Sequence, residues 1–195
     1  IVGIAWAAPL TTIKVGDGVV HSPGNVIGVC DGLKRAQAQG ARVFSMAFGM
    51  LYTSDLLQDC IREVWNRPPE VLMIAAAGTT VSWVVFPASM GQEVIAASQV
   101  EIVATGPGYK MFPLTQVAYS QKVDFVIPDS TNDTPTTGLW SPEIASLGGS
   151  SSATAHLAGM FAVLWSKYPN ESRAQIYARM RASSSLKGIA DQGGL

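Results

Sequence analysis

The sequence is poor in charged residues, cysteine and histidine, and each shortage excludes a class of protein. Only 14% of the 195 residues are charged, and 13 basic against 14 acidic residues leave a formal net charge of −1. This balance argues against binding to nucleic acid and against docking on an acidic membrane surface. Two cysteines, Cys30 and Cys60, are too few for a disulfide scaffold or a cysteine-based zinc site. With His21 and His156 as the only histidines, we expect no metal site.

Long apolar runs are also missing, although apolar residues are plentiful. No run approaches the roughly 18–20 residues of a membrane span, and 48% hydrophobic residues are too many for a disordered chain. A chain of this length predicts about one domain. The segment Ile1 to Trp6 resembles structured core and no initiator methionine precedes it, so we expect any targeting segment to lie upstream.

Short apolar runs alternate with stretches of helical period along the chain. This alternation predicts an α/β fold, with a mostly parallel sheet covered by helices on both faces. Helices are expected after the potential N-caps Asn25, Ser54 and Ser172. Cys30 and Cys60 fall on the predicted core faces of the first two helices, and we expect two free buried thiols, with a disulfide as the alternative. The predicted strands are Leu10 to Val15, Val43 to Phe48, Val71 to Ala77, Glu93 to Val100 and Val123 to Ile127.

Glycine and serine residues lead directly into a helix in the stretch Gly148 to Gly159. Small and apolar residues from Ser151 to Trp165 predict a helix that is buried on all sides. Unpaired N–H groups and the positive end of the helix dipole would stabilise an oxyanion beside Ser151. A serine N-cap explains the same residues more simply. Composition alone therefore favours the cap over a catalytic serine.

Six segments of the chain, in order, match the motifs of one enzyme family. Gly149 to Gly159 matches the block Gly-Thr-Ser-Met-Ala-(Thr/Ser)-Pro-His-Val-Ala-Gly, with Ser151 at the position of the first serine. The match departs from the block at four positions, which are Ser150 for Thr, Ser152 for Met, Ala155 for Pro and Leu157 for Val. Ala41 to Gly49 matches a substrate-binding strand, and Ile74 to Thr79 matches the turn Val-Ala-Ala-Ala-Gly-Asn. On these motifs the chain resembles the subtilisin-like serine peptidases. The remaining matches are Val2 to Val15, Phe86 to Ala96 and Val123 to Pro128.

The resemblance implies a fold and a set of site residues. Residues 1–195 would form the later two-thirds of a catalytic domain, a three-layer α/β sandwich whose N-terminal portion is absent. Ser151 would be the nucleophile, and Thr79 would replace the asparagine that donates to the oxyanion. An extended polypeptide substrate would lie between two segments, which are Ala47, Phe48 and Gly49 on one side and Ala76, Ala77 and Gly78 on the other.

The resemblance also implies that two members of the catalytic triad are missing. The family's Asp and His precede the segment matched by Val2 to Val15, His156 is the structural histidine of the nucleophile block, and His21 lies in a loop. Since a serine without a base is a poor nucleophile, we expect an upstream segment or a separate chain to supply both residues. The alternative is an inactive pseudopeptidase that binds an extended peptide or a partner segment.

The resemblance adds two weaker expectations. No cofactor is expected, although the family allows calcium, whose ligands cannot be identified in this sequence. A secreted or lumenal location is favoured over others.

Overall fold

The computed structural model describes residues 3–16, 25–79, 81–105, 108–113, 122–129, 134–137 and 144–184. These ranges contain four α-helices and seven strands. The helices are α1 (Val26–Ala38), α2 (Asp55–Asn66), α3 (Gly149–Lys167) and α4 (Arg173–Ser183). The strands are β1 (Val43–Met46), β2 (Leu72–Ala76), β3 (Val94–Thr105), β4 (Gly108–Pro113), β5 (Phe125–Asp129), β6 (Thr134–Thr137) and β7 (Ile144–Leu147). None of these helices is both long and apolar enough to cross a lipid bilayer.

The central sheet is mostly parallel, as the alternating pattern predicts. β1 pairs with β2, β2 with β3 and β3 with β5, all in parallel, and β4 is antiparallel to the later part of β3. Ile74 on β2 is in register with Ser45 on β1 and Ile95 on β3. β6 and β7 form a separate antiparallel pair. Four of the five predicted strands are therefore confirmed, with boundaries shifted by at most five residues.

The sheet separates two hydrophobic clusters, which makes the fold a three-layer sandwich. All five residues of β2 are buried, and alternate side chains point to opposite faces of a strand. Met73 and Ala75 belong to the cluster that contains the buried residues of α1 and α2. Leu72 and Ile74 belong to the cluster of α3 and α4. The predicted α/β architecture with helices on both faces is confirmed.

Side-chain caps begin two of the four helices. Ser54 accepts a hydrogen bond from the backbone N–H of Leu57 and starts α2. Ser172 and Gln175 form a reciprocal capping box at the start of α4. Both caps agree with the sequence prediction and satisfy donors that a helix leaves unpaired. Asn25 precedes α1 as predicted, but its side chain makes no capping bond.

The two cysteines are joined, contrary to the expectation of free thiols. A disulfide links Cys30 on α1 to Cys60 on α2. Both residues lie on core faces, as the helical spacing predicts, and both are buried. The spacing of apolar residues along a helix predicts that a cysteine is buried. It does not show that two helices place their buried cysteines next to each other. The disulfide ties α1 to α2 across 30 residues of sequence.

The predicted strand Leu10 to Val15 is wrong, because residues 9–16 belong to no strand. Instead, Ile13 and Val15 pack against the cluster of α1 and α2. A Cβ on Gly32 would lie 2.6 Å from Cγ1 of Val15, so glycine permits this close crossing of α1. A strand also needs a hydrogen-bonded partner, and the described part of β1 pairs only with β2.

The expectation that α3 is buried on all sides is also wrong. Ala153, Leu157 and Phe161 are buried, and α3 packs against the sheet and α4. On other sides of the helix, Met160 is 37% and Val163 is 47% exposed. An apolar sequence indicates that a helix packs against other elements on every side. It does not show whether those elements belong to the same chain.

Candidate active site

A cleft of about 260 Å³ lies where the N-terminus of α3 meets the segments that follow β1 and β2. Parallel strands end at the same edge of a sheet, and such edges are where α/β proteins bind their ligands. The lining residues share this edge and are Ala47, Phe48, Gly49, Leu51, Ala76, Gly78, Thr79, Val81, Val85, Ser150 and Ser151.

Ser151 lies in the first turn of α3 and is half-buried at the cleft. Its hydroxyl donates a hydrogen bond to the backbone oxygen of Ala47, at 3.1 Å. Backbone N–H groups in the first helical turn have no partner within the helix, and the helix dipole is positive there. As the sequence predicts, Ser151 lies in the first turn of a helix and lines a groove.

Thr79 contacts the residue that precedes Ser151. Its Oγ1 accepts a hydrogen bond from the backbone N–H of Ser150 at 3.2 Å and lies 3.0 Å from the Ser150 hydroxyl oxygen. The Ser150 hydroxyl also accepts from the backbone N–H of Gly78, at 3.1 Å. Thr79 is exposed at the cleft, whereas Ser150 is only 1% exposed. These contacts fix the turn after β2 against the start of α3.

Gly149 allows this close contact between the turn and the helix. Its φ is +76°, in the region that favours glycine, and an added Cβ would lie 2.6 Å from Oγ1 of Thr79. A side chain at this position would therefore strain the backbone and displace the Thr79 hydroxyl.

Val85 fills the space between the two segments that flank the cleft. A Cβ on Gly49 would collide with Cγ2 of Val85, and a Cβ on Gly78 would lie 3.2 Å from its Cγ1. Val85 is buried, and its backbone N–H donates to the oxygen of Ala77. The absence of side chains at Gly49 and Gly78 leaves room for Val85. The Val85 side chain in turn forms part of the wall of the cleft.

The structure brings together all but one of the site residues that the sequence proposes. Ala77 does not line the cleft and is fully buried. Its N–H donates to Ala97 and its oxygen accepts from Val85, so its backbone is already paired. The remaining proposed residues line one cleft, and they are Ala47, Phe48, Gly49, Ala76, Gly78, Thr79 and Ser151.

Among the described residues, no base is hydrogen-bonded to Ser151. Nδ1 of His156 lies 3.0 Å from the backbone oxygen of Ser152 and 3.3 Å from its hydroxyl. A residue five positions along a helix is rotated by about 140° from the first, so His156 points away from Ser151. His21 lies outside the described residues.

No metal site is apparent in the part of the chain that the structure describes. It contains no group of three or more His, Cys, Asp or Glu side chains placed to hold an ion.

Sequence reasoning missed four residues of the cleft. Ser150 is hidden within the serine run that contains Ser151, and only its contact with Thr79 distinguishes it. Leu51, Val81 and Val85 lie on loops outside the quoted motifs, so nothing in the sequence marked them. Leu51, Val81 and Val85 line the cleft only because the folded chain places these loops beside it.

Comparisons with known proteins agree on one family. A model of peptidase group S8, described as "Subtilase family", matches residues 1–193. Subtilisin BL from Lederbergia lenta is 27% identical over 193 residues, a match that covers 96% of this chain and 65% of that protein. A thermostable alkaline protease from Halalkalibacterium halodurans is 24% identical over 188 residues, covering 96% of this chain and 48% of that protein.

Solved structures show the same fold. The S41 psychrophilic protease superposes with a TM-score of 0.70 at 20% identity, over 88% of this chain and 59% of that one. Sphericase gives a TM-score of 0.64 at 19% identity, over 80% of this chain and 53% of that one. The chain thus spans about half to two-thirds of the length of these four proteins.

Proposed function

Because the chain belongs to the subtilase family, we propose that it is the nucleophile-bearing part of a serine endopeptidase. The catalytic Asp and His would come from an upstream segment or a separate chain. The observation that supports this most strongly is the position of Ser151, whose hydroxyl faces the cleft from the first turn of α3.

Ser151 attacks the peptide carbonyl in this proposal. Its Oγ bonds to the carbonyl carbon while the supplied histidine takes the hydroxyl proton. The carbonyl oxygen becomes an oxyanion, which accepts hydrogen bonds from the Ser151 N–H and the Thr79 hydroxyl. The histidine then protonates the leaving amine as the C–N bond breaks, and water hydrolyses the acyl-serine.

The substrate is proposed to be an extended polypeptide. Ala47, Phe48 and Gly49 follow one parallel strand, while Ala76 and Gly78 lie at the end of the next. An extended peptide can pair with such segments backbone to backbone, as an added strand does. Ala77, also proposed from the sequence, would support its neighbours because its own backbone is already paired.

Two surfaces favour a further segment that completes the domain. β1 is the edge of the described sheet, although its residues Phe44 and Met46 are buried, and an open apolar edge is a template for another strand. Met160 and Val163 leave an apolar part of α3 exposed. A segment that covers both could bring a base towards Ser151.

The alternative function is that of a pseudopeptidase, which binds an extended peptide or partner segment without cleaving it. Two observations favour it. Thr79 stands where the family has asparagine, and its hydroxyl reaches less far into the cleft. The Ser151 hydroxyl is bonded to a backbone oxygen, which does not activate it.

Peptide hydrolysis by the chain joined to its upstream sequence tests the proposal. We expect cleavage of an unstructured protein substrate, and loss of cleavage in Ser151→Ala. The matched control is Ser166→Ala, which removes an exposed serine from the far end of the same helix. Peptide binding by wild type without cleavage would support the pseudopeptidase. Equal cleavage by wild type and Ser151→Ala would contradict the role of Ser151.

A further inference from the structure

We propose that Ser150 is a positioning residue, whose buried hydroxyl directs the proton of Thr79 into the cleft. The inference rests on the proposed function, in which Thr79 donates to the oxyanion. Its basis is the number of protons and lone pairs on the Ser150 and Thr79 hydroxyl groups.

Among the residues that the structure describes, the Ser150 hydroxyl has one available acceptor. Its oxygen accepts from the N–H of Gly78, and among the described residues its other hydrogen-bond contact is Oγ1 of Thr79, at 3.0 Å. Ser150 is only 1% exposed, so water cannot easily take its proton. Because buried hydroxyl protons are almost always paired, the Ser150 proton goes to Thr79.

The Thr79 oxygen then has both of its lone pairs occupied. It accepts from the backbone N–H of Ser150 at 3.2 Å and from the hydroxyl of the same residue. A hydroxyl group has two acceptor positions and one proton. The Thr79 proton must therefore point away from Ser150, and Thr79 is an exposed residue that lines the cleft.

The opposite arrangement is unfavourable. If Thr79 donated to Ser150, the Ser150 oxygen would accept twice and its own proton would be buried without an acceptor. Leaving a buried donor unpaired costs more than the bond itself is worth. In the assigned arrangement the hydrogen bonds run from the Gly78 N–H through Ser150 to Thr79, and successive bonds in one direction polarise each other. Thr79 is thereby a stronger and better-oriented donor than a free threonine.

A double-mutant cycle in the protein with its upstream segment tests this inference. We expect Thr79→Val to lower kcat by up to the ~10²–10³-fold that one oxyanion donor is worth, with little change in KM. Ser150→Ala should lower kcat less, by about 10-fold, and Ser150→Thr, which keeps the hydroxyl, should restore it. In the Thr79→Val background, Ser150→Ala should have no further effect on kcat.

The outcomes separate the two proposals. An equal loss from Ser150→Ala in both backgrounds, or no loss in either, would overturn the positioning role while leaving Thr79 as a donor. If Thr79→Val has full activity, Thr79 is not an oxyanion residue and the proposed mechanism itself fails.

Hydroxyl-proton exchange measured by NMR on the unmodified chain provides a test that needs no variant to fold. The Ser150 proton should exchange slowly, because it is buried and donated, while the Thr79 proton should exchange rapidly with solvent. A slow Thr79 proton beside a rapidly exchanging Ser150 proton would reverse the assigned direction and overturn the inference.

Discussion

Gly149 makes the contact between Thr79 and α3 possible, and its replacement has two separable costs. Its φ of +76° strains any L-residue by about 1–2 kcal/mol. An alanine Cβ would also lie 2.6 Å from Oγ1 of Thr79. We therefore expect Gly149→Ala to lower both the free energy of unfolding and kcat.

Gly40 is the matched control for this prediction. Its φ is +88°, but an added Cβ would meet nothing within 4 Å. Gly40→Ala should cost a similar amount of stability, about 1–2 kcal/mol, and leave kcat unchanged. Urea unfolding and steady-state kinetics of both variants measure the two costs. Full kcat in Gly149→Ala would show that Thr79 need not stay where it is.

The roles proposed for Ser151 as nucleophile and Thr79 as oxyanion donor could be inferred from the sequence, because each residue occupies a fixed place in a local motif. Their connection could not. Thr79 and Ser150 are 71 residues apart in the chain, and no local pattern shows that their hydroxyl groups meet. The role proposed for Ser150 therefore depends on the three-dimensional arrangement.

At the level of elements, the disulfide between α1 and α2 has a measurable effect on stability. Closing a loop of this length restricts the unfolded chain and contributes roughly 2–4 kcal/mol. We expect the double variant Cys30→Ala/Cys60→Ala to lose about that much free energy of unfolding. Reduced wild type is the control and should match the double variant apart from small packing differences.

Alkylation before and after reduction shows whether the disulfide forms. Thiols that react in the folded, unreduced protein would contradict the disulfide and restore the expectation of free cysteines.

The junction of β5 and α4 gives a pH-dependent contribution to stability. The Tyr177 hydroxyl donates to Oδ1 of Asp124 at 3.1 Å. Burial, together with the charge of Asp124 and this hydrogen bond, raises the pKa of Tyr177 to about 12 from an ordinary value of 10.0. Because the folded state holds this proton more tightly than the unfolded state, the stabilisation is complete below pH 10. It is lost as the pH rises from 10 to about 12.

Unfolding free energies measured across this pH range check the prediction. Tyr177→Phe should remove this part of the pH dependence. Asp124→Asn should reduce it without abolishing it, because burial, the largest cause, remains. The same slope in wild type and Tyr177→Phe would contradict the assignment.

The strands that pair with one another were predicted well, whereas the surroundings of two other segments were not. The strands that became β1, β2, β3 and β5 pair with each other. Leu10 to Val15 has the composition of a strand, but no described strand pairs with it. The apolar sequence of α3 indicated burial on every side, yet Met160 and Val163 are exposed.

At the scale of the whole molecule, three observations on the described residues support the proposal that a further segment completes the domain. An open sheet edge at β1, an exposed apolar part of α3 and a serine bonded only to a backbone oxygen are each expected if the rest of the domain is supplied from outside these residues. The central claim is that Ser151 is a nucleophile that requires a base from such a segment.

Labelling by a fluorophosphonate probe tests this claim most directly, because the probe reacts with activated serines. The chain alone should not be labelled, whereas the chain joined to its upstream sequence should be labelled at Ser151, as mapped by mass spectrometry. Ser151→Ala should abolish the labelling. Rapid labelling of the isolated chain would show that it already contains a base, and no labelling after the upstream sequence is added would contradict the claim that Ser151 is a nucleophile.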